Sequence, residues 1–181
     1  MPWRHLRKQA MSSRVEHIPV PRNSMIHHEI QGASFYDCHR ISLGTSDAPA
    51  LALYLKTMGK TPAWVDRLMG LRNTVVQWVG LKDLGALSKI DPSRPLNSYV
   101  VGDRIGIFTL LAVSDQEVIL GDSDKHLDVK VSVLKQSEGD KHHMAVSTIV
   151  HVHNTLGRIY MFFVGPAHKI IAPAVVARFS T

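Results

Sequence analysis

Residues 145–178 read AVSTIVHVHNTLGRIYMFFVGPAHKIIAPAVVAR and contain a strand pattern followed directly by a helix pattern. Over 145–153 the residues alternate in character, which predicts a strand with one apolar face that comprises Val146, Thr148, Val150 and Val152. Over 155–178 apolar residues recur every three or four positions, which predicts a long helix with Asn154 as its N-cap. Pro166 lies inside this helix and predicts a kink.

Short strand patterns precede this stretch, over Ile105–Val113, Glu117–Gly121 and His126–Leu134. The few residues between them predict an antiparallel meander. If the two valine rows coincide, Val129 pairs with Val150 and Val131 with Thr148, and the turn then centres on Gly139–Asp140.

The first half of the chain predicts one strand and two helices. Residues 34–43 are rich in aromatic and β-branched types and predict a strand, and Pro49 and Gly59 bracket a short helix over 49–58. Thr61 and Pro62 then open a second helix. Its apolar stripe is broad enough to predict packing on two sides, and comprises Trp64, Leu68, Leu71, Val75 and Trp78.

Length and charge limit the domain organisation and the partners. The 181 residues fit a flexible basic arm over 1–30 and a single domain over 31–181. The net charge is +6, and +3 of it falls in the arm, which leaves the body nearly balanced and a poor match for nucleic acid. The lone Cys38 favours a reducing compartment, so we expect a cytoplasmic protein, with Cys38 as a buried thiol.

The order of elements predicts an α+β fold in which a curved antiparallel sheet wraps around a long C-terminal helix and leaves a cavity between them. His168 and Lys169 fall in the middle of the apolar tail, so we expect no stable membrane insertion. An amphipathic helix on a membrane surface remains open, because the tail holds Arg158, Lys169 and Arg178 and no acidic residue. Docking against the domain's own sheet is favoured.

Three runs resemble the domain-of-unknown-function family 2867, in the expected order: TPAWVDRLMGLRNTVVQWVGL (61–81), EVILGDSDKHLDVKVSV (117–133) and VHNTLGRIYMFFVGPAHKII (152–171). The likeness covers roughly residues 33–178. It implies a helix-grip, START-like fold with a cavity for an apolar or amphipathic ligand, and no particular reaction. The predicted strands are fewer than those of a full helix-grip sheet, so we expect a sheet with a reduced number of strands.

Four potential metal ligands share one sheet face in the predicted register, since Asp128 lies opposite His151 and His126 opposite His153. That face is opposite the valine row, where cross-strand Asp–His pairs commonly stabilise a solvated surface. We therefore favour a solvated sheet surface over a metal site at these four residues.

The residues that we expect to line the cavity between the sheet and the helices are the candidates for ligand binding. They are Trp64, Leu68, Arg72, Phe108, Tyr160, Phe163 and His168. No G-x-S-x-G, no H-E-x-x-H and no G-x-G-x-x-G is present, so no catalytic motif is recognised and no cofactor is expected. The leading hypothesis is a small-molecule binding domain. One alternative is an enzyme that uses Asp37, Arg72 or His168 for acid–base chemistry, which requires at least two of them to meet in one pocket. The other is an interaction module beside a dehydrogenase, which the resemblance implies through fused relatives.

Overall fold

The computed structural model describes residues 14–44, 46–77, 90–91, 93–139 and 141–180, and for residues 71–77 it describes the helical backbone. The predicted strand–helix–strand order is confirmed. The strands are β1 (Glu16–His17), β2 (Phe35–Gly44), β3 (Arg104–Ile105), β4 (Phe108–Val113), β5 (Glu117–Ser123), β6 (Leu127–Glu138) and β7 (Lys141–Val152), and the helices are α1 (Ala50–Met58), α2 (Ala63–Gln77) and α3 (Thr155–Val176).

The strands form one curved antiparallel sheet in the order β1-β2-β7-β6-β5-β4-β3, and the long helix α3 closes the fold. This arrangement is the predicted α+β architecture and is consistent with a helix-grip fold. The sheet has seven strands among the described residues, and two of them, β1 and β3, contain two residues each.

The predicted register of the central hairpin is confirmed. Val129 pairs with Val150 and Val131 with Thr148, because this alignment places both rows of β-branched side chains on one face. Gly139 follows β6 with a φ of 61°, a left-handed conformation that glycine adopts without strain. The predicted strand over 105–113 is divided, since Gly106 at φ 58° turns the chain between β3 and β4.

The inner face of the sheet, which faces α1 and α3, carries the main apolar core. Leu110, Leu120, Val133 and Met144 are fully or almost fully buried there, and Tyr54 of α1 and Phe179 after α3 belong to the same cluster. At the start of α3, Asn154 accepts a hydrogen bond from the backbone N–H of Gly157, which confirms the predicted N-cap. The helix continues through Pro166 and Pro173.

In the described part of the predicted flexible arm, Glu16–His17 form the edge strand β1 and residues 18–30 pack on the outer face of the sheet. Val20 is buried with Cys38, and Ile26 is buried with Ile119 and Ile149. Glu117 fixes the segment, because its carboxylate accepts hydrogen bonds from the Ser24 hydroxyl (2.6 Å) and the Met25 backbone N–H (2.9 Å). This segment therefore covers one side of the sheet and leaves the other to the helices.

The predicted two-sided packing of α2 is not found in its described side chains. Of residues 63–70 only Val65 is buried, whereas Trp64 and Leu68 are 40% and 41% exposed. The remainder of the predicted stripe, Leu71, Val75 and Trp78, lies outside the described side chains.

Candidate functional site

A cavity of about 230 Å³ lies between the inner face of the sheet and helix α3. The side chains that line it follow from the repeats of the strands and the helix. Alternate residues of β6 and β7 face inward, and every third or fourth residue of α3 faces the sheet. Its lining is mostly aliphatic and includes Val129, Val131, Val146 and Val150 from the strands and Met161, Val164, Ile171, Ala172 and Val175 from the helix.

One part of the cavity wall is polar: His39 and His168 line it, and both contact the buried carboxylate of Asp37, which does not itself line the cavity. Asp37 and His39 are both inward-facing residues of β2, and His168 reaches them from α3. His168 Nε2 lies 3.2 Å from Asp37 Oδ1 and 3.1 Å from Oδ2, and His39 Nδ1 lies 3.9 Å from Oδ2. Asp37 and His39 are only 7% and 8% exposed, so this cluster is held in a largely water-free setting.

The hydrogen bond to Asp37 determines which ring nitrogen of His168 donates and which accepts. A carboxylate only accepts, so the Nε2–H of His168 is the donor, and in the neutral ring Nδ1 is then the acceptor. Phe35 packs against the ring edge-on at 5.4 Å between centroids, which further restricts its orientation. The pair is a positioned acid–base group beside an apolar space.

Burial lowers the pKa of His39 below its ordinary value of 6.5. The nearby carboxylate of Asp37 opposes this shift, and the neighbouring rings of His17 and His168 add to it. The folded protein therefore favours the neutral form of His39.

We expect the free energy of unfolding to fall as the pH decreases through about 6.5, because the unfolded chain then takes up a proton at His39 that the folded chain resists. The contribution is fully present above the unfolded pKa and is lost below it. Urea denaturation at pH 7.5 and 5.5 measures the difference. His39→Phe should reduce it and His28→Asn, at an exposed position outside the sheet, should not. An unchanged pH dependence in His39→Phe would contradict the assignment.

The structure brings some of the predicted ligand residues together and separates others. Phe108, Tyr160 and His168 line the cavity as predicted. Phe163 does not: it is 69% exposed on the outward face of α3, because residue 163 lies on the side of the helix away from the sheet. Trp64 and Leu68 do not line the cavity either, although Met69 of the same helix does. The side chain of Arg72 lies outside the described residues.

The four predicted metal ligands do not converge. Asp128 does lie opposite His151 as predicted, but its carboxylate pairs with His153 Nε2 at 3.0 Å and accepts a hydrogen bond from Ser123. His126 turns instead to the helix cap, where its Nδ1 lies 3.1 Å from Asn154 Oδ1. Within the part of the chain that the structure describes, no three His, Cys, Asp or Glu side chains form a metal-binding group.

The predicted burial of the Cys38 thiol is confirmed. It is fully buried on the outer face of the sheet, away from the cavity, and burial raises its pKa to about 11. A thiol that resists ionisation is a poor nucleophile.

His39 and the inward valines are site residues that sequence reasoning did not select. A signal for His39 was present, since Asp37 and His39 are two residues apart on a predicted strand and therefore share a face.

Comparison with known proteins identifies one family. Residues 29–175 match the family described as Protein of unknown function (DUF2867). No curated protein and no solved structure matches the chain. The match covers the sheet from β2 onward, the cavity and nearly all of α3, and on that basis the chain belongs to the DUF2867 family.

Proposed function

We propose that this protein binds a small amphipathic molecule in the cavity between α3 and the sheet, as a member of the helix-grip superfamily. The observation that carries the proposal is an apolar space of about 230 Å³ whose wall includes His39 and His168, both held by contacts to the buried carboxylate of Asp37. Ligand sites have this composition, in which an apolar lining supplies affinity and a few polar groups fix orientation.

The size of the space supports an occupant. An unfilled apolar space leaves its lining side chains without van der Waals partners on one side. An apolar ligand that fills the space regains the lost contacts. Engineered cavities of about 150 Å³ accept benzene, so a molecule with one or two fused rings or a short branched chain is of suitable size.

The polar cluster favours a ligand that donates a hydrogen bond. Asp37 holds the lining residues His39 and His168 from behind the wall, so ring nitrogens are offered to a ligand, and no Lys or Arg occurs among the described residues that line the cavity. The two acidic residues that line the cavity are engaged locally, since Asp122 pairs with Arg104 at 2.8 Å and Asp124 accepts backbone N–H bonds from His126 and Leu127. A hydroxyl or an amine matches this wall better than a carboxylate or a phosphate does.

Binding of 2-naphthol, followed by its fluorescence and by saturation-transfer NMR, tests the proposal. We expect saturable binding at one site, about two- to tenfold tighter than that of naphthalene, because a hydrogen bond to a ring nitrogen of the cavity wall contributes about 0.5–1.5 kcal/mol. Mass spectrometry of an organic extract of the purified protein should also reveal a co-purified molecule of this class.

Two matched variants of α3 locate the binding. Ala172 lines the cavity and Ala174 does not, so Ala172→Phe places a phenyl ring in the space whereas Ala174→Phe adds the same ring elsewhere on the helix. We expect Ala172→Phe to weaken 2-naphthol binding at least about tenfold, in line with the loss of an apolar site, and Ala174→Phe to leave it unchanged. Equal binding by both variants, each folded by circular dichroism, would exclude the cavity.

Acid–base catalysis on the bound molecule is a second candidate function. The observation that favours it is that one of the three candidate side chains, His168, lines the cavity and is hydrogen-bonded to a second, Asp37. Solvent deuterium uptake into the co-purified molecule separates the two functions. Uptake with the wild type and not with His168→Asn would indicate a base that removes a carbon-bound proton.

A further inference from the structure

Helix α3 carries a second apolar face, on the side away from the cavity. Four large hydrophobic residues are strongly exposed there: Ile159 (53%), Phe162 (75%), Phe163 (69%) and Ile170 (67%). Their spacing of three, one and seven residues places them on one stripe of the helix. Pro166, which is also exposed, lies within the same stripe.

This exposure is unusual for a helix of such composition. Thr155–Ser180 is the single helical segment among the described residues that is long and apolar enough to cross a membrane, yet only 11% of its most apolar window is buried. A core helix of the same composition would be mostly buried. Contiguous exposed apolar surface generally marks a site of interaction with a protein, a ligand or a membrane.

The helix cannot be surrounded by lipid on all sides. Its inner residues line the cavity, and His168 bonds to the buried Asp37 of β2. Lipid could therefore contact the outward stripe alone, which corresponds to a helix that lies in the plane of the interface.

The charges along the helix indicate what kind of surface it would meet. Arg158 and Lys169 are exposed and lie on one flank of the stripe. No Asp or Glu occurs anywhere in residues 155–180. An apolar stripe with basic and no acidic residues beside it is complementary to a bilayer with anionic headgroups.

We propose that the outward stripe of α3 docks on an anionic lipid bilayer, with Phe162 and Phe163 inserted at the boundary between headgroups and acyl chains and Arg158 and Lys169 at the headgroups. The same helix then separates the bilayer from the cavity. The proposal rests on the exposed stripe and its charges, and it holds or fails independently of what the cavity binds.

Flotation of the full chain with vesicles tests the proposal. We expect binding to vesicles of phosphatidylcholine with 30% phosphatidylserine, and much weaker binding to phosphatidylcholine alone. The double variant Phe162→Ser/Phe163→Ser should lose at least about tenfold in partitioning, because two large apolar groups no longer enter the lipid. Arg158→Gln and Lys169→Gln should each lose about fivefold, and only on the anionic vesicles.

A matched control uses exposed apolar residues elsewhere. Val100 and Val101 are 60% and 61% exposed in the segment before β3, so Val100→Ser/Val101→Ser removes comparable exposure without touching α3. This control should bind vesicles like the wild type. Circular dichroism and urea denaturation of the Phe162→Ser/Phe163→Ser variant report whether its fold is intact.

Three results would overturn the proposal. The first is no binding of the wild type to anionic vesicles. The second is equal binding by the wild type and the Phe162→Ser/Phe163→Ser variant. The third is a wild-type dimer in sedimentation that this variant abolishes, together with no vesicle binding, which would assign the stripe to a second copy of the chain.

Discussion

Replacing Glu117 with alanine is expected to lower the free energy of unfolding by about 4 kcal/mol, the largest effect of any single change considered for this protein. Glu117 is 3% exposed, and its carboxylate accepts hydrogen bonds from the hydroxyls of Ser24 (2.6 Å) and Ser132 (2.5 Å) and from the Met25 backbone N–H (2.9 Å). Alanine would leave these three donors without their acceptor. Hydrogen bonds to charged groups contribute about 1.5–3 kcal/mol each, and the loss is smaller than their sum because water enters.

The same change should loosen residues 21–30 on the outer face of the sheet. Urea denaturation measures the stability, and amide hydrogen exchange over this segment measures the loosening. Glu138→Ala is the control, because Glu138 pairs with Arg40 with a side chain that is 63% exposed, and exposed pairs contribute less than about 1 kcal/mol. A loss below about 1 kcal/mol in Glu117→Ala would show that Glu117 does not fix the N-terminal segment.

Gly157→Ala is expected to lower the free energy of unfolding by about 3 kcal/mol, at the upper end of the usual range for overpacking. A methyl group at residue 157 would overlap the carbonyl oxygen of His126 and would lie 2.9 Å from Val152 Cγ1. The carbonyl cannot turn away, because it accepts a hydrogen bond from the backbone N–H of His153 at 2.9 Å. The first turn of α3 would have to move away from the sheet, and the cavity would change shape with it.

Gly70→Ala provides the matched control for that variant. A methyl group at residue 70 of α2 meets nothing within 4 Å, so alanine should raise the stability by about 0.5–1 kcal/mol through its helix propensity. Both proteins are compared by urea denaturation, and their changes should have opposite signs. A Gly157→Ala protein within about 0.5 kcal/mol of the wild type would mean that α3 does not sit this close to the β5–β6 turn.

The parts of the fold that could be predicted are those with a strict period. The valine rows of β6 and β7 predict their pairing because a shift by one residue would turn every side chain to the other face. The N-cap at Asn154 and the short helix after Pro49 follow from local chemistry in the same way. Such signals depend on neighbouring residues alone.

The parts that could not be predicted depend on long-range contacts. Residues 14–30 have no period, and their docking through Glu117 joins residues about ninety positions apart. Phe163 was selected as a ligand residue because α3 is apolar on nearly every side, so periodicity alone cannot indicate which side faces the sheet. The pairing of Asp37 with His168 likewise depends on where α3 lies over β2.

A crystal of the protein pressurised with xenon tests the central claim most directly, since xenon enters dry apolar cavities. The space between α3 and the sheet should contain a xenon atom in contact with Val131, Val150 and Ile171, with no movement of the backbone. Side chains that fill this space, or α3 held away from the sheet with only water between them, would contradict the account.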